Sequence, residues 1–490
     1  MLRRVWPVRG DMKVELQRPM SHFQGPRIAA KNARTNEGRP PCFESWEPGV
    51  GSWALNFPRA FPLPLAPRVV ALSPPMLRRG SLIYALLVFL AGASLMREAT
   101  IGRLPEYDEA WWAFIARHCT PQATASKLTL VEITGDTLSK HPWPWKADDF
   151  ALFFHAVLPF EPAVLAVEPP LNSDRDPAAG SDPVFEKMLL DHVRRSPKLV
   201  LGGILGFAPD PDAVPDLQPV PVLRKAKVRG DLGKVPDFAV IESWAEETLR
   251  GTAQPGWTNV PGRADRDPRG WCPLVLRYRG QPVPTMVLQL MMHLEKVTLD
   301  EVEVVLGSHI ALGKSRRLPI DESGRMLLNV GADFQRVSYD DLLLSREQLD
   351  RREKPVNAPE LFTGHIVMLA RTDPESRTIA MPDGRKVSPG EFIAAAFATA
   401  EIGAFPQRIG SWFDWTLVGT AAFLALWIRK WRPMLSVLIT LLLLTGCAAG
   451  AWWAFQAKQL LLPAVLPLGL AVWVLLLRLV ARRIEKIIAF

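Results

Sequence analysis

An α/β extracytoplasmic domain, a mixed sheet with flanking helices, carried on four transmembrane helices is the architecture the sequence predicts. Three observations lead there. One apolar run stands near the start, three more crowd the last part of the chain, and between them short apolar runs alternate with amphipathic stretches.

Residues 1–75 mix Pro, Arg, Trp and Phe without a strand or helix period, as in Phe61-Pro-Leu-Pro-Leu-Ala-Pro. Met76 then opens a conventional membrane start, Met-Leu-Arg-Arg-Gly-Ser-Leu-Ile. The expectation is that Met76 is the initiator and the preceding segment an extension without a fold, with a disordered cytoplasmic tail as the alternative. The first span, within 76–97, is an uncharged run over 80–96 flanked by Arg78, Arg79 and Arg97. It is short for a hydrocarbon core of about 30 Å. Removal of this run as a signal peptide is the competing reading, since Ala91, Ala93 and Ser94 supply small residues before a cleavage point. Spans over 411–428, 433–457 and 459–478 complete the set, and Asp414 is the single charge in the first of these three.

Orientation follows from Lys and Arg in the short flanks. Arg78 and Arg79 put the chain's first flank in the cytoplasm. Arg429, Lys430 and Arg432 return it there after the second span, and Arg478, Arg482, Arg483 and Lys486 after the fourth, whereas the intervening outer turn holds only Lys458. Residues 98–410 are therefore expected outside and 479–490 as a short cytoplasmic tail, in a bacterial inner membrane. Gly446, Ala448, Ala449, Gly450 and Ala451 in the third span favour close helix approach, within the bundle or in a homodimer. Pro463 and Pro467 allow a bend in the fourth.

Within the exported region, 128–133 reads as a buried strand, followed by a Pro-Trp loop and a helix over 147–157. A strand over 163–167, an acidic loop, a helix over 182–194 and a strand over 199–205 continue the series. Strand, helix, strand, helix, strand implies parallel pairing with helices on the sheet faces. After the Pro-rich loop 209–221, strands over 271–278, 302–306, 310–312 and 326–330, separated by turns such as Asp321-Glu-Ser-Gly, suggest an antiparallel part. A strand over 365–370 and a helix over 391–402 close the domain.

The net charge of +8 lies largely at membrane flanks and in the first segment, so it reads as topology and contact with membrane lipids, and nucleic acid is not an expected partner. Of the four cysteines, only Cys119 and Cys272 fall in the exported domain, where a disulfide between them is an open possibility; Cys447 lies in an apolar span. No phosphate loop, His-Glu-x-x-His or Gly-x-Ser-x-Gly motif is present, so no catalytic residue, metal or cofactor is assigned. The eight histidines have no ligand spacing, and one such as His155 reads as a packing or solvated residue. Asn172, Asp174 and Asp176 alternate like calcium ligands, but Pro177 and Pro183 stand where such a loop needs Gly and Glu, which leaves a solvated loop capping a helix near Asp182 as the better reading.

Several segments carry a family resemblance. Leu130-Val-Glu-Ile-Thr-Gly-Asp-Thr-Leu through His141-Pro-Trp-Pro-Trp-Lys, the stretch 259–273, Leu318-Pro-Ile-Asp-Glu-Ser-Gly-Arg-Met-Leu-Leu-Asn and Phe362-Thr-Gly-His-Ile-Val-Met-Leu together resemble the type-two CHASE domain. That module is an extracytoplasmic sensor associated with cyclases and histidine kinases, usually laid out as one span, the sensor and three spans. Two positions depart from the pattern: Glu168-Pro-Pro stands where an Asp is usual, and Lys146 where Arg is favoured. Such sensors usually continue into an output domain, and here nothing follows Phe490. The resemblance therefore implies sensing but supplies no output; the leading expectation is a sensor module that passes its signal to a separate signalling enzyme as partner. A structural scaffold docking envelope proteins and an unrecognised extracytoplasmic enzyme are the alternatives.

Candidate ligand-binding residues are Trp143, Trp145 and Lys146, two rings and a cation on a Pro-stiffened loop, together with Glu168 and Arg266. The competing readings are that the aromatics plug the edge of the core and that the charged run around Arg266 is a solvated turn.

Overall fold

The computed structural model describes residues 79–101, 104–119, 124–171, 182–196, 198–207, 220–245, 249, 251–260, 270–409, 411–428, 433–462 and 465–488. The expected extension at 1–75, Asn172, Asp174, Asp176, Arg266 and most of the Pro-rich loop lie outside the described residues.

Seven strands form the central sheet: β1 (Thr124–Ile133), β2 (Val164–Val167), β3 (Leu199–Gly206), β4 (Val240–Ser243), β5 (Gln254–Trp257), β6 (Ala332–Ser338) and β7 (Ile366–Arg371). Their order is β6-β1-β7-β2-β3, with β5 and β4 both on the far side of β3. Every pair is parallel except β3 with β4. The expected parallel pairing holds for β2 and β3, but β7 inserts between β1 and β2, a neighbour drawn from more than two hundred residues downstream.

Side chains alternate across this sheet as the strand period demands. On one face Leu128, Leu130, Ala166, Val200 and Met368 are covered by helices named below as α6 and α8. On the other, Val131, Ile133, Leu165, Val167, Leu201 and Leu369 are covered by α4, α5 and α7. Burial on both faces explains why these strands read as unbroken apolar runs. Each fully buried Leu, Val or Phe here stabilises the fold by about 1.5–3 kcal/mol.

The helices are α1 (Arg79–Ile101), α2 (Leu104–His118), α3 (Gly135–Lys140), α4 (Ala147–Val157), α5 (Pro183–Arg195), α6 (Met286–Glu295), α7 (Tyr339–Asp350), α8 (Pro389–Ile402), α9 (Ser411–Ile428), α10 (Pro433–Lys458) and α11 (Val465–Ile488). Their starts follow local chemistry. Asp182 caps α5 by accepting from the Val184 amide at 2.9 Å, with Pro183 at the first position. Ser388 and Glu391 form a reciprocal capping box on α8, which ends at Gly403 with φ 74°.

A smaller sheet pairs the expected strands Val302–Val305 and His309–Leu312 antiparallel, with Arg316–Pro319, which the sequence reading did not assign, on one side and Val228–Arg229 parallel on the other. The strand expected over 326–330 is Arg325–Leu327 and pairs with Trp271–Pro273 in a separate sheet. The expected strand over 271–278 is instead two, Trp271–Pro273 and Val275–Tyr278, each in its own sheet. The Leu274 amide between them bonds to Gly324 at 3.0 Å and its carbonyl to the Thr285 amide at 3.0 Å, so one apolar run serves two partners. Cys119 and Cys272 are both buried free thiols, so the disulfide held open above does not form.

Outside the sheet domain, α1, α9 and α11 pack together: the Tyr84 hydroxyl donates to the Val474 carbonyl at 2.7 Å, and Val418 and Leu470 close over Gly92. Among the described residues one helix, Met434–Lys458, is long and apolar enough to cross a membrane; Ile83–Arg97 and Leu466–Arg478 are shorter apolar stretches. Leu438, Leu441, Leu442 and Trp453 of α10 stand exposed, a pattern that water does not favour. The far end of α10 meets the domain in an aromatic cluster, in which Ala451 and Phe455 pack with Trp112 and Ile115 of α2 and with Leu327, flanked by Trp111, Trp271 and Trp452. Gln407–Arg408, just before α9, also pairs with Leu460–Leu461, just after α10.

Among the described glycines, the closest approach is at Gly202, between β2 and β3. A Cβ on Gly202 would fall 1.9 Å from the Glu168 carbonyl oxygen, so Gly202→Ala has to push the two strand ends apart. It is expected to cost at least about 1–3 kcal/mol, whereas Gly251→Ala, whose Cβ meets nothing within 4 Å, should change stability by less than about 0.5 kcal/mol. Unfolding of the two variants in detergent checks the difference.

Candidate functional site

Parallel strands covered on both faces present their carboxyl ends as the open edge of the sheet, where ligands of such folds bind. Here that edge carries charge. On the α8 face, Arg336 of β6 reaches Glu132 of β1 at 3.0 Å and also pairs with Glu391 in the first turn of α8. Glu391 thus serves the capping box with one oxygen and the arginine with the other. Burial raises the Glu132 pKa, the nearby Glu391 charge adds to that, and Arg336 opposes it.

Glu168 follows β2 on the same face. The residue keeps some exposure, yet its carboxyl is closed in by protein beside the start of α8, where Gly390 leaves space that a Cβ would share with Glu168 Oε2 at 3.7 Å. Gly390 also lies against Ala370, with an added Cβ at 2.3 Å, so only glycine lets α8 start so close to β7. Desolvation pushes the Glu168 pKa up to about 7, against the opposing effect of the Arg371 amide and charge.

Arg371 ends β7 on the opposite face. It forks onto buried Asp373, with Nη2 to Oδ2 at 3.0 Å, and lies 4.9 Å over the Trp143 ring. The Trp143-Pro144 peptide is cis. Trp143 is half-buried and stays in contact with Trp145, ring centres 6.3 Å apart. Trp145 is 4% exposed, donates Nε1 to the His141 carbonyl at 3.0 Å and packs on Tyr339 at 4.7 Å and Phe150 at 5.5 Å. It fills the core edge, and the loop's accessible groups are Trp143 and the exposed Lys146. Burial, then the charges of Asp149, Asp340 and Asp148, raise the Tyr339 pKa, which keeps its hydroxyl available to donate to the Asp149 carbonyl at 3.0 Å.

The structure thus brings Trp143 and Glu168 to the carboxyl edge through a shared neighbour, Arg371, with Lys146 at the start of α4 beside them in the chain. Sequence reading overlooked Glu132, Arg336, Arg371, Asp373 and Glu391. The available signal was charge at the end of an apolar strand run: Glu132 interrupts 128–133 and Arg371 terminates 366–370. Among the described residues no group of three or more His, Cys, Asp or Glu could hold a metal ion. The arrangement offers paired carboxylates, guanidinium groups and one ring face, which suits recognition by charge and hydrogen bonds.

A family model, the CHASE2 domain, matches residues 83–443. Neither a curated protein nor a solved structure matches the chain.

Glu168 generates a pH dependence whose sign is fixed. Its folded pKa, about 7, exceeds the ordinary value of 4.5, so the unfolded chain loses its proton first as pH rises. The penalty is absent below pH 4.5 and complete above about 7. Stability should fall across that window with a slope approaching about 1.4 kcal/mol per pH unit. Glu168→Gln should flatten that slope in unfolding experiments run from pH 4.5 to 7.5, while an unchanged slope would contradict the burial of this carboxyl.

Proposed function

The chain belongs to the CHASE2 domain family, an extracytoplasmic sensor domain of membrane signalling proteins, and on that premise we propose that it is a membrane-anchored sensor module. Its domain binds a ligand or partner outside the cytoplasm, through the charged carboxyl edge with Trp143, Lys146, Glu168 and, from outside the described residues, Arg266. Its helices pass the change to a separate output protein.

The observation that carries this reading is the aromatic cluster between the domain and the end of α10. A domain that only needed tethering would be joined by chain connections. Here Phe455, 1% exposed, is buried among side chains of α2 and of the strand Arg325–Leu327, so movement in the domain has a packed route to the helix. Buried cores switch between discrete packings rather than deforming smoothly, which is the property a two-state sensor requires.

Four membrane spans, in a bacterial inner membrane, are part of the proposal. In its support, the start of α9, the end of α10 and the start of α11 all lie near the Gln407–Arg408 and Leu460–Leu461 pairing. That common level suits helices that alternate in direction from one side of a bilayer. A homodimer is also proposed: among the described residues Gly446 and Gly450 of α10 meet nothing within 4 Å, which leaves this close-approach face open to a second copy.

Two outcomes are expected. In a background lacking cysteine, Glu322→Cys, at an exposed turn, should react with a membrane-impermeant maleimide in intact cells with a permeabilised outer layer; protection until the membrane is dissolved would put the domain on the cytoplasmic side. Gly446→Leu combined with Gly450→Leu should reduce the crosslinked dimer fraction several-fold, and an unchanged fraction would remove α10 as the dimer face. For the function itself, crosslinking of the tagged full-length chain in native membranes should recover a cyclase, kinase or similar signalling enzyme. Recovery of envelope-assembly proteins alone would favour a scaffold.

A further inference from the structure

Far from the carboxyl edge, the last turns of α4 and α5 converge on a cavity next to the amino end of β2. Its apolar wall is Leu158, Pro159 and Pro162. Its polar groups are His155, His192, Glu161 and Arg195. The two imidazoles lie 5.7 Å apart, centre to centre. Both ring nitrogens of His192 are buried without a hydrogen-bond partner, which leaves a donor and an acceptor unmatched in a place where neutral polar atoms normally find partners. Glu161 and Arg195 bring opposite charges to the same cavity, and among the ion pairs of the described residues none joins them.

We propose that this cavity is a recognition site for a small zwitterion, a free amino acid: Arg195 receives its carboxylate, Glu161 its ammonium group, His192 one of its remaining hydrogen-bonding atoms, and the Leu-Pro-Pro wall its side chain. Two opposite charges that share a cavity without closing on each other are what a dipolar ligand needs, and an apolar wall with a few convergent polar groups is the usual make-up of a small-molecule site. A purely anionic ligand would leave Glu161 opposing it. A metal ion would have two imidazoles and no third ligand in place among the described residues. His192 enters the site neutral, because burial, then the charges of His155 and Arg195, lower its pKa. The binding step stands independently of whether the signal reaches the membrane helices.

The test is a thermal-shift and calorimetry panel on the full chain in lipid nanodiscs, with the common L-amino acids, their amides, the matching deaminated acids and Zn2+ alone. At least one amino acid should raise the melting temperature, and its amide and its deaminated acid should each bind at least tenfold more weakly. Arg195→Ala and Glu161→Gln, at exposed positions, should weaken binding at least tenfold while the ligand-free melting temperature stays unchanged. The inference is overturned if no amino acid binds, if the deaminated acid binds as well as its parent, if only Zn2+ binds, or if both variants bind normally.

Discussion

A parallel sheet covered on both faces has one place for charge, the ends of its strands. Burial of an unpaired ion between sheet and helix would cost several kcal/mol, so Glu132, Arg336, Glu168 and Arg371 all sit where β1, β6, β2 and β7 emerge from cover. The rest of the molecule follows from that constraint. Arg336 pairs with Glu132 and, at the start of α8, with Glu391; Arg371 forks onto Asp373, and Glu168 lies beside Gly390, the glycine that lets α8 start close to β7. The edge is therefore the polar face of the domain, where Arg336 joins the carboxylates of β1 and α8.

Much of this was legible in the sequence where the local signal was strong. The strand run 128–133, the helix 147–157 and the helix after Asp182 emerged within a few residues of their observed bounds, because apolar spacing and an N-cap residue mark them directly. What did not emerge was pairing at long range. Ile366–Arg371 lies between β1 and β2 because its residues are equally apolar on both faces, and no local pattern says which neighbours such a strand takes. β6, Ala332–Ser338, was missed because four of its seven positions are polar or charged, as an edge strand allows. The candidate site was half legible for the same reason: Trp143 and Glu168 stand out singly, whereas Arg336 with Glu391 becomes a pair only through tertiary folding.

The helices show the complementary limit. Apolar composition marked α10, which contains the one described helix long and apolar enough to cross a membrane, and its leucines stand exposed. α1, α9 and α11 owe part of their character to packing on one another through Tyr84, Val88, Val418 and Leu470, so their apolar residues answer to a helix partner. The aromatic cluster at the end of α10 joins these two regimes. Trp112, Leu327 and Phe455 come from three distant parts of the chain, and their shared burial ties a membrane-length helix to the sensor domain's own packing.

That tie is the central claim, and hydrogen exchange measured by mass spectrometry on the full chain in nanodiscs tests it most directly, with Phe455→Ala compared against exposed Leu442→Ala. A buried Phe→Ala change costs about 3–5 kcal/mol, and if the cluster couples the two parts, exchange should accelerate in α2 and in Arg325–Leu327 as well as in α10. Acceleration confined to α10, with the domain's protection the same as in Leu442→Ala, would contradict the account.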